Sequence, residues 1–387
     1  MKIVDFKKTK EKQDLSFLDI LSAERAKKFH QGFPVYKKTP LALMAKSAET
    51  FGVKKIYVKD ESFRFGLNAF KVLGGSFAIG NYIAQRLGLE IEELTYQKMI
   101  PDEVRKKLGD LTFVTATDGN HGRGVAWAAK ILKQSSVIYM PKGSSLERLN
   151  AIKAEGAKAY ITEYNYDGSV ALANQMAEEN GWIMIQDTAW EGYTQIPTWI
   201  IEGYSTMALE AYEEMNERPT HIFIQAGVGS LAAAITGFFS SVYKKNKPII
   251  VIVEPYEAAC IFKSAKAKDG QRHFVKGDMN TIMAGLACGE PCSIGWDVLK
   301  SYADYALTCS DDIAKKGMRL LANPIYPDQK IISGESGAVC YGCVAEILTN
   351  PKLLEIKSRL GLTNDSVILT FSTEGATDME SYRNIVG

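Results

Sequence analysis

The chain has 387 residues, of which 46 are basic and 45 acidic, so that its formal net charge is +1. This balance excludes the charge field that attracts nucleic acid or an anionic membrane, and no apolar run is long enough to span a bilayer. Segment 1–15 carries charges without the apolar core of a signal peptide. A cytoplasmic protein of two domains is expected, because the chain is too long for one simple core.

Short apolar runs rich in Val and Ile alternate with longer helical patterns along the chain. Predicted strands begin near residues 56, 113, 137, 159, 183, 221, 249 and 367, and helical patterns cover 124–132, 146–155, 168–180 and 231–243. This alternation is typical of βαβ units that form parallel sheets with helices on both faces, so the predicted fold class is α/β. The polar segment 87–109 predicts a pair of amphipathic surface helices without a strand.

Four short motifs stand where a predicted strand gives way to a turn or a helix. They are Asn68-Ala-Phe-Lys71, Thr117-Asp-Gly-Asn-His-Gly122, Gly227-Val-Gly-Ser230 and Ser372-Thr-Glu-Gly375. Together they offer an amine, an amide-rich loop, an anion-binding turn and a hydroxyl at a strand end. The order of these motifs and their residues resemble those of the fold-type II family of pyridoxal phosphate (PLP) enzymes, which includes tryptophan synthase β and threonine dehydratase.

The resemblance covers nearly the whole chain and implies an architecture. Two lobes are expected, each with a largely parallel twisted sheet flanked by helices. Residues 85–195 would form the smaller inserted domain, and residues 1–84 and 196–387 the larger PLP-binding domain. The family also implies a homodimer that acts on a small amino acid.

Lys71 is the residue expected to anchor PLP. It follows Phe70, which is expected to contact the cofactor, and precedes a predicted helix start at Val72. A lysine at the apolar start of a helix is desolvated and lies near the positive end of the helix dipole, so its pKa is expected to fall below about 10.4. A lowered pKa favours a Schiff base with an aldehyde near neutral pH. The alternative is an ordinary surface lysine.

The motif Gly227, Val228, Gly229 and Ser230 follows a predicted strand and opens a helix. Glycines permit a tight turn, and free N–H groups at a helix N-terminus converge on one anion. A dinucleotide fingerprint is not met, because Ala232 occupies the position of its third glycine. The motif is similar to the phosphate loop of the PLP family.

The loop Thr117–Gly122 is expected to contact both cofactor and substrate. By resemblance, Asn120 bonds the ring oxygen of PLP, and Thr117, Asp118, Gly119 and His121 contribute to binding the substrate carboxylate. The dehydratases of the family usually carry serine where this chain has Asp118. The alternative reading of Asp118 is a helix N-cap.

Asp118 predicts the type of substrate. An opposite charge about 4 Å from its carboxylate is worth on the order of 4 kcal/mol at an effective dielectric near 20, which favours a substrate with a second ammonium. The carboxylate can also accept the Cα proton. A hydroxyl leaving group needs an acid, whereas a β-ammonium leaves as ammonia without one.

The expected reaction is therefore α,β-elimination of 2,3-diaminopropionate, of one or both enantiomers, to pyruvate and ammonia. The first alternative is a serine or threonine dehydratase, which shares every cofactor residue. A more remote alternative is a non-catalytic metabolite-binding α/β protein.

Three further positions are candidates for the site. Asp187 ends a predicted strand where the resembling lyases carry a second functional aspartate, although a turn aspartate is the alternative. Tyr166 is a candidate pocket residue. By resemblance, Ser372 or Thr373 places a hydroxyl at the pyridine nitrogen of PLP, and the choice between the two stays open, with the spacing leaning slightly to Thr373.

The six cysteines predict no metal site. Cys340 and Cys343 have metal-like spacing but fall within a predicted buried helix, and the chain has only four histidines. Cys260 and Cys288 match cysteines that the resembling lyases can join in a disulfide. Two reduced thiols are the favoured alternative.

Overall fold

Two β-sheets organise residues 1–7 and 12–387, the part of the chain that the computed structural model describes; residues 8–11, within the charged N-terminal segment, lie outside it. In chain order the strands of the described residues are β1 (Lys2–Asp5), β2 (Leu41–Leu43), β3 (Lys55–Asp60), β4 (Thr112–Ala116), β5 (Ser135–Met140), β6 (Lys158–Ile161), β7 (Ile183–Met184), β8 (His221–Gln225), β9 (Ile249–Pro255), β10 (Tyr305–Cys309) and β11 (Val367–Ser372).

The larger sheet has the order β1-β10-β9-β8-β11-β3-β2, and the smaller one has the order β6-β5-β4-β7. All pairs are parallel except the two edge pairs of the larger sheet, in which β1 and β2 run antiparallel to their neighbours. The α/β class with largely parallel sheets is therefore confirmed. All eight predicted strands form. The sequence pattern missed β1, β2 and β10, of which β1 and β2 are edge strands of four and three residues.

Helices cover both sheets. Within the described residues they are α1 (Ile20–Gln31), α2 (Ala45–Phe51), α3 (Val72–Leu87), α4 (Tyr96–Met99), α5 (Asp102–Leu108), α6 (Asn120–Ile131), α7 (Leu146–Ala154), α8 (Tyr166–Asn180), α9 (Gln195–Glu214), α10 (Ser230–Tyr243), α11 (Cys260–Ala267), α12 (Ser293–Tyr302), α13 (Asp311–Ala322), α14 (Glu335–Thr349), α15 (Leu354–Leu360) and α16 (Met379–Val386). Segment 87–109 forms the short helices α4 and α5 and no strand, as predicted. Across residues 1–7 and 12–387, none of the helices combines the length and the apolarity that crossing a bilayer requires.

Helix α6 begins at Asn120, four residues earlier than the sequence pattern predicted. The sequence pattern placed Gly122 in the loop and Gly124 at the start of the helix, and in the structure both glycines lie within α6 and allow close packing. A Cβ on Gly122 would lie 2.4 Å from Cγ2 of Thr117, and a Cβ on Gly124 would lie 2.8 Å from Cα of Val72. Helix α6 therefore packs tightly against β4 and the start of α3.

The four strands of the smaller sheet lie within residues 112–184, inside the predicted domain 85–195. The predicted border between residues 84 and 85 falls within helix α3 (Val72–Leu87). The exact borders of the two domains remain a prediction.

Candidate active site

A cavity of ≈ 640 Å³ lies where the carboxyl ends of strands from both sheets meet. Parallel strands present the loops that follow them at one edge, which is why motifs distant in sequence share this space. All four motifs contribute to its lining. Among the predicted site residues, the lining includes Phe70, Lys71, Thr117, Asp118, Asn120, His121, Tyr166, Asp187, Gly227, Val228, Gly229, Ser230, Cys288 and Thr373.

Lys71 lies directly before α3 and forms a buried ion pair with Asp187. Burial lowers the pKa of Lys71, but Asp187, together with Tyr204 and Asp118, outweighs it and the net pKa is raised. The predicted lowering of this pKa is therefore wrong, because the sequence did not show the opposite charge that faces the amine. Burial raises the pKa of Asp187, but Lys71, together with His121 and Tyr166, more than reverses this and lowers it to about 2. Both groups are charged at neutral pH.

Tyr166 stabilises the same carboxylate from helix α8. Its hydroxyl donates to Oδ1 of Asp187 over 3.1 Å. Burial raises the pKa of Tyr166 well above 10, so the phenol keeps its proton. Ser230 donates to the backbone oxygen of Asp187 over 2.5 Å and thereby links the backbone at residue 187 to the anion-binding turn. Asp187 is thus held by three segments of the chain.

The turn at Gly227–Ser230 presents a row of free backbone donors. None of the N–H groups of residues 227–232 donates a hydrogen bond within the described part of the chain. They lie at the N-terminus of the 14-residue helix α10, where the helix dipole favours an anion. Gly229 has φ +98°, a conformation that a residue with a Cβ rarely adopts. The donor set fits a phosphate group.

The loop after β4 is held by its own first residue. Oγ1 of Thr117 accepts from the N–H groups of Gly119 (2.9 Å) and Gly122 (3.1 Å). His121 lies in the first turn of α6 and bonds the backbone oxygen of Ile185 through Nε2 at 2.7 Å. Burial lowers the pKa of His121, so the ring is neutral. The Thr117 hydroxyl and His121 Nε2 therefore hold the loop in place.

Asn120 and Gly119 face other neighbours. The side-chain amide of Asn120 donates to Glu374. Gly119 packs against the side chain of Arg148, which a Cβ on Gly119 would approach within 3.1 Å. The expected contacts of Asn120 with the cofactor and of this loop with a substrate carboxylate stay predictions.

Asp118 occupies the passage between the cavity and a second chamber. It lines both the inner cavity and an adjoining one of ≈ 1220 Å³. Its Oδ2 lies against Gly285, 3.3 Å from the position that a Cβ would take there. No hydrogen bond to the Asp118 carboxylate forms within residues 1–7 and 12–387, and the side chain caps no helix. This carboxylate is free to bind a ligand.

Ser372 and Thr373 point to different neighbours. Ser372 donates to the hydroxyl of Ser333 over 2.8 Å, away from the cavity lining. Thr373 lines the cavity, and its hydroxyl accepts from Nε2 of Gln225 over 2.9 Å. The Phe70 N–H also donates to the backbone oxygen of Thr373 over 3.1 Å, which joins the first motif to the last. The geometry favours Thr373, and the predicted cofactor contact of Ser372 is not supported.

Two cavity residues, Gln225 and Glu374, were missed as site residues. Glu374 stands inside the fourth motif, so it was visible but was given no role. It is fully buried, and its carboxylate accepts from Asn120 and from the N–H of Ser336 (3.0 Å). Gln225 ends β8, a position that on its own marks the carboxyl edge of a parallel sheet.

Cys260 and Cys288 are free thiols in the structure, which agrees with the favoured reading and not with the disulfide that the resemblance allows. Burial raises the pKa of both thiols well above 9. Cys288 lines the cavity, and Cys260 donates to the backbone oxygen of Gly227 over 3.6 Å. Within the described residues, no group of three or more His, Cys, Asp or Glu side chains is arranged to hold a metal ion.

The cavity thus offers a buried amine for an aldehyde, a row of N–H donors for a phosphate and a hydroxyl at a strand end for a ring nitrogen. The chemistry of this set of groups fits PLP. Asp118, Asp187 and Glu374 add three carboxylates that none of these three tasks uses.

Comparison with known proteins agrees with this donor set. The family model described as pyridoxal-phosphate dependent enzyme matches residues 33–360. The diaminopropionate ammonia-lyase of Escherichia coli K12 is 49% identical over 368 residues, covering 94% of this chain and 91% of that protein. Crystal structures of the Escherichia coli enzyme with an aminoacrylate-PLP azomethine reaction intermediate and with D-serine both superpose with a TM-score of 0.92. Each covers 100% of this chain and 96% of the other, at 46% identity.

Proposed function

This chain belongs to the family of pyridoxal-phosphate dependent enzymes, and we propose that it eliminates ammonia from 2,3-diaminopropionate. The substrate and one water yield pyruvate and two molecules of ammonia. The observation that carries the proposal is the free carboxylate of Asp118 in the same cavity as Lys71. The identity of 49% to a diaminopropionate ammonia-lyase across nearly the whole chain supports it independently.

The residues of three motifs would hold the cofactor. Lys71 would bind its aldehyde, the N–H groups of Gly227, Val228, Gly229 and Ser230 its phosphate, and Thr373 its ring nitrogen. PLP, when bound, withdraws electrons from the Cα of an attached amino acid and makes the Cα proton acidic. A hydroxyl partner leaves the ring nitrogen unprotonated, which favours elimination at Cβ.

Asp118 would act on the substrate in two ways. Its carboxylate attracts the second ammonium of a diamino acid, which serine and threonine lack. It also accepts the Cα proton of one enantiomer, and Lys71 accepts that of the other. The amine of Lys71 must first lose its proton, and the carboxylate of Asp187 faces that amine.

The leaving group explains why a carboxylate suits this position. The Cβ–N bond of a β-ammonium breaks with its electron pair on nitrogen, and neutral ammonia departs without an acid. A β-hydroxyl needs a proton donor at the same point. An ionised Asp118 cannot supply that proton.

We further expect a homodimer in the cytoplasm. The support is the resemblance to the PLP family. Size-exclusion chromatography with light scattering tests the dimer, and a molar mass of one chain would contradict it.

The stoichiometry of the products tests the proposed reaction. Purified holoenzyme with 2,3-diaminopropionate should release two ammonia molecules per pyruvate. Lys71→Ala should abolish both, whereas Lys130→Ala, at an exposed position, should change neither. Release of ammonia without pyruvate, or no release by the wild type, would overturn the proposal.

A further inference from the structure

Gln186 is a fully buried side chain between the two strands β4 and β7 and the Asp187 carboxylate. Gln186 does not line the cavity. It reaches the cavity only through its contacts with Asp187 and Tyr166, which do line it. All of its amide atoms are hydrogen-bonded. Such a fully satisfied buried amide fixes the orientation of its partners.

The orientation of the Gln186 amide is determined by the end of β4. Its Oε1 accepts from the backbone N–H of Ala116 (2.9 Å) and from the hydroxyl of Thr115 (2.7 Å). A backbone N–H can only donate, so the atom that faces it must be the amide oxygen. The amide nitrogen therefore points the other way.

The direction of the next hydrogen bonds follows from that. Nε2 of Gln186 donates to the hydroxyl of Tyr166 (2.9 Å) and, at 3.3 Å, to Oδ1 of Asp187. Since the Tyr166 oxygen accepts this bond, its single proton goes to Oδ1 of Asp187. Oδ1 thus receives two donors, and only Oδ2, which faces Lys71, remains open to a proton.

The groups that face Asp187 from the neighbouring elements leave Lys71 as its counter-ion. They are Lys71, His121, Tyr166, Tyr193, Tyr204, Cys288 and Cys292. Burial lowers the pKa of His121 and raises the pKa of the tyrosines and cysteines, so all of these are neutral near pH 7. The Asp118 carboxylate also acts on Lys71 and helps to raise its pKa. A change at Gln186 acts directly on the ion pair between Lys71 and Asp187.

We propose that Gln186 is a positioning residue that keeps Asp187 ionised and confines its proton exchange to the oxygen facing Lys71. The hydrogen bonds all point the same way: the Ala116 N–H donates to Gln186, Gln186 donates to Tyr166, and Tyr166 donates to Asp187. Lys71 and Asp187 then exchange one proton along one path during turnover. The inference deepens the proposed function and rests on it for the catalytic consequence.

Gln186→Glu is the sharpest test. The variant keeps an oxygen for the Ala116 N–H but places a second carboxyl 3.3 Å from Asp187. Two carboxyl groups that share a site cannot both ionise, so one takes up a proton well above its ordinary pKa. Gln134→Glu is the matched control, because Oε1 of Gln134 accepts the N–H of Leu111 at the other end of β4, over 2.7 Å.

Two readouts are compared, the visible absorption of the resting holoenzyme as a function of pH and the pH profile of kcat. Gln186→Glu should add a titration step to the absorption and move the acid limb of kcat upward by at least about one pH unit. Tyr166→Phe should move the limb in the same direction by less. Gln134→Glu should match the wild type in both.

A uniform loss of kcat in Gln186→Glu, with the acid limb and the absorption titration unchanged, would show that Gln186 only supports the fold and would overturn the proposal. The absorption titration needs no substrate. If the wild type fails to act on 2,3-diaminopropionate, the proposed function fails, and the titration still decides the role of Gln186.

Discussion

The carboxylate of Asp187 forms an ion pair with Lys71 although 116 positions separate the two residues. Their side chains are 3% and 17% exposed, so water screens the pair little. The pair joins the start of α3 to the segment after β7. The predicted PLP anchor is thus an ammonium held by a specific partner, rather than an amine freed by burial.

Asp187→Asn should destabilise the apoprotein by about 3 kcal/mol, because it leaves a buried ammonium without its counter-ion. The folded pKa of Asp187 is lowered to about 2, so its contribution is present above the ordinary carboxyl pKa and is lost as the pH falls toward 2. Urea unfolding at pH 7 measures the difference. The control Asp304→Asn removes the partly exposed partner of Lys247 and should cost at most about 1 kcal/mol. An equal cost in the two variants would contradict this account.

Asp118→Asn should affect the two enantiomers of 2,3-diaminopropionate unequally. If Asp118 takes the Cα proton of one enantiomer, kcat for that enantiomer should fall by about 10²–10⁴-fold, and kcat for the other should fall less. Steady-state kinetics with the separate L and D forms provide the measurement, and an unchanged visible spectrum shows that PLP is still bound. Equal losses for both forms with an intact spectrum would remove Asp118 from the role of base.

Gly229→Ala should weaken the binding of PLP. The added Cβ would force a strained backbone at φ +98° and approach Ile261 within 3.2 Å, which displaces the N–H groups meant for the phosphate. Gly270→Ala is the matched control, since Gly270 has φ +81° with open space around it. Fluorescence titration of the apoproteins with PLP should show a higher Kd for Gly229→Ala by about tenfold or more, equivalent to about 1.4 kcal/mol. The same Kd in both variants would mean that the turn does not hold the phosphate.

Thr373→Ala and Ser372→Ala should separate the two candidate hydroxyls. Only Thr373 lines the cavity, so its loss should shift the visible absorption of the holoenzyme and lower kcat, whereas Ser372→Ala should leave the spectrum unchanged. Absorption spectra of the two holoproteins at equal PLP content make the comparison. A spectral shift in Ser372→Ala alone would reverse the assignment.

The sequence predicted the elements that carry strong local patterns. The strands that begin near residues 113, 221 and 367 are runs of buried apolar residues, and the motifs after them appear at the carboxyl edges of the sheets as expected. The edge strands β1 and β2 were missed because three or four residues are too few for a period-two pattern. Helix α6 was predicted too short because its glycines serve packing between elements that the sequence does not show to be neighbours.

The same limit applies to the site. The residue types at Lys71, Gly229 and Thr373 were readable, because each follows from a local turn or strand end. The direction of the Lys71 pKa shift was not readable, since it depends on Asp187. The role of Gln186 was not readable either, since it depends on four partners: Thr115 and Ala116 of β4, Tyr166 of α8 and the adjacent Asp187. A family resemblance supplied Asp187 as a candidate, but only the folded arrangement shows which atom it faces.

The most direct test of the account is a comparison of kcat/KM for pyruvate release by the holoenzyme with L- and D-2,3-diaminopropionate, L- and D-serine and L-threonine. We predict that 2,3-diaminopropionate exceeds each hydroxy amino acid by at least about 100-fold, the discrimination expected when a carboxylate in the cavity is left without its ammonium partner. Faster turnover of serine or threonine would contradict this prediction, because Asp118 would then not be the residue that recognises the second amine of the substrate.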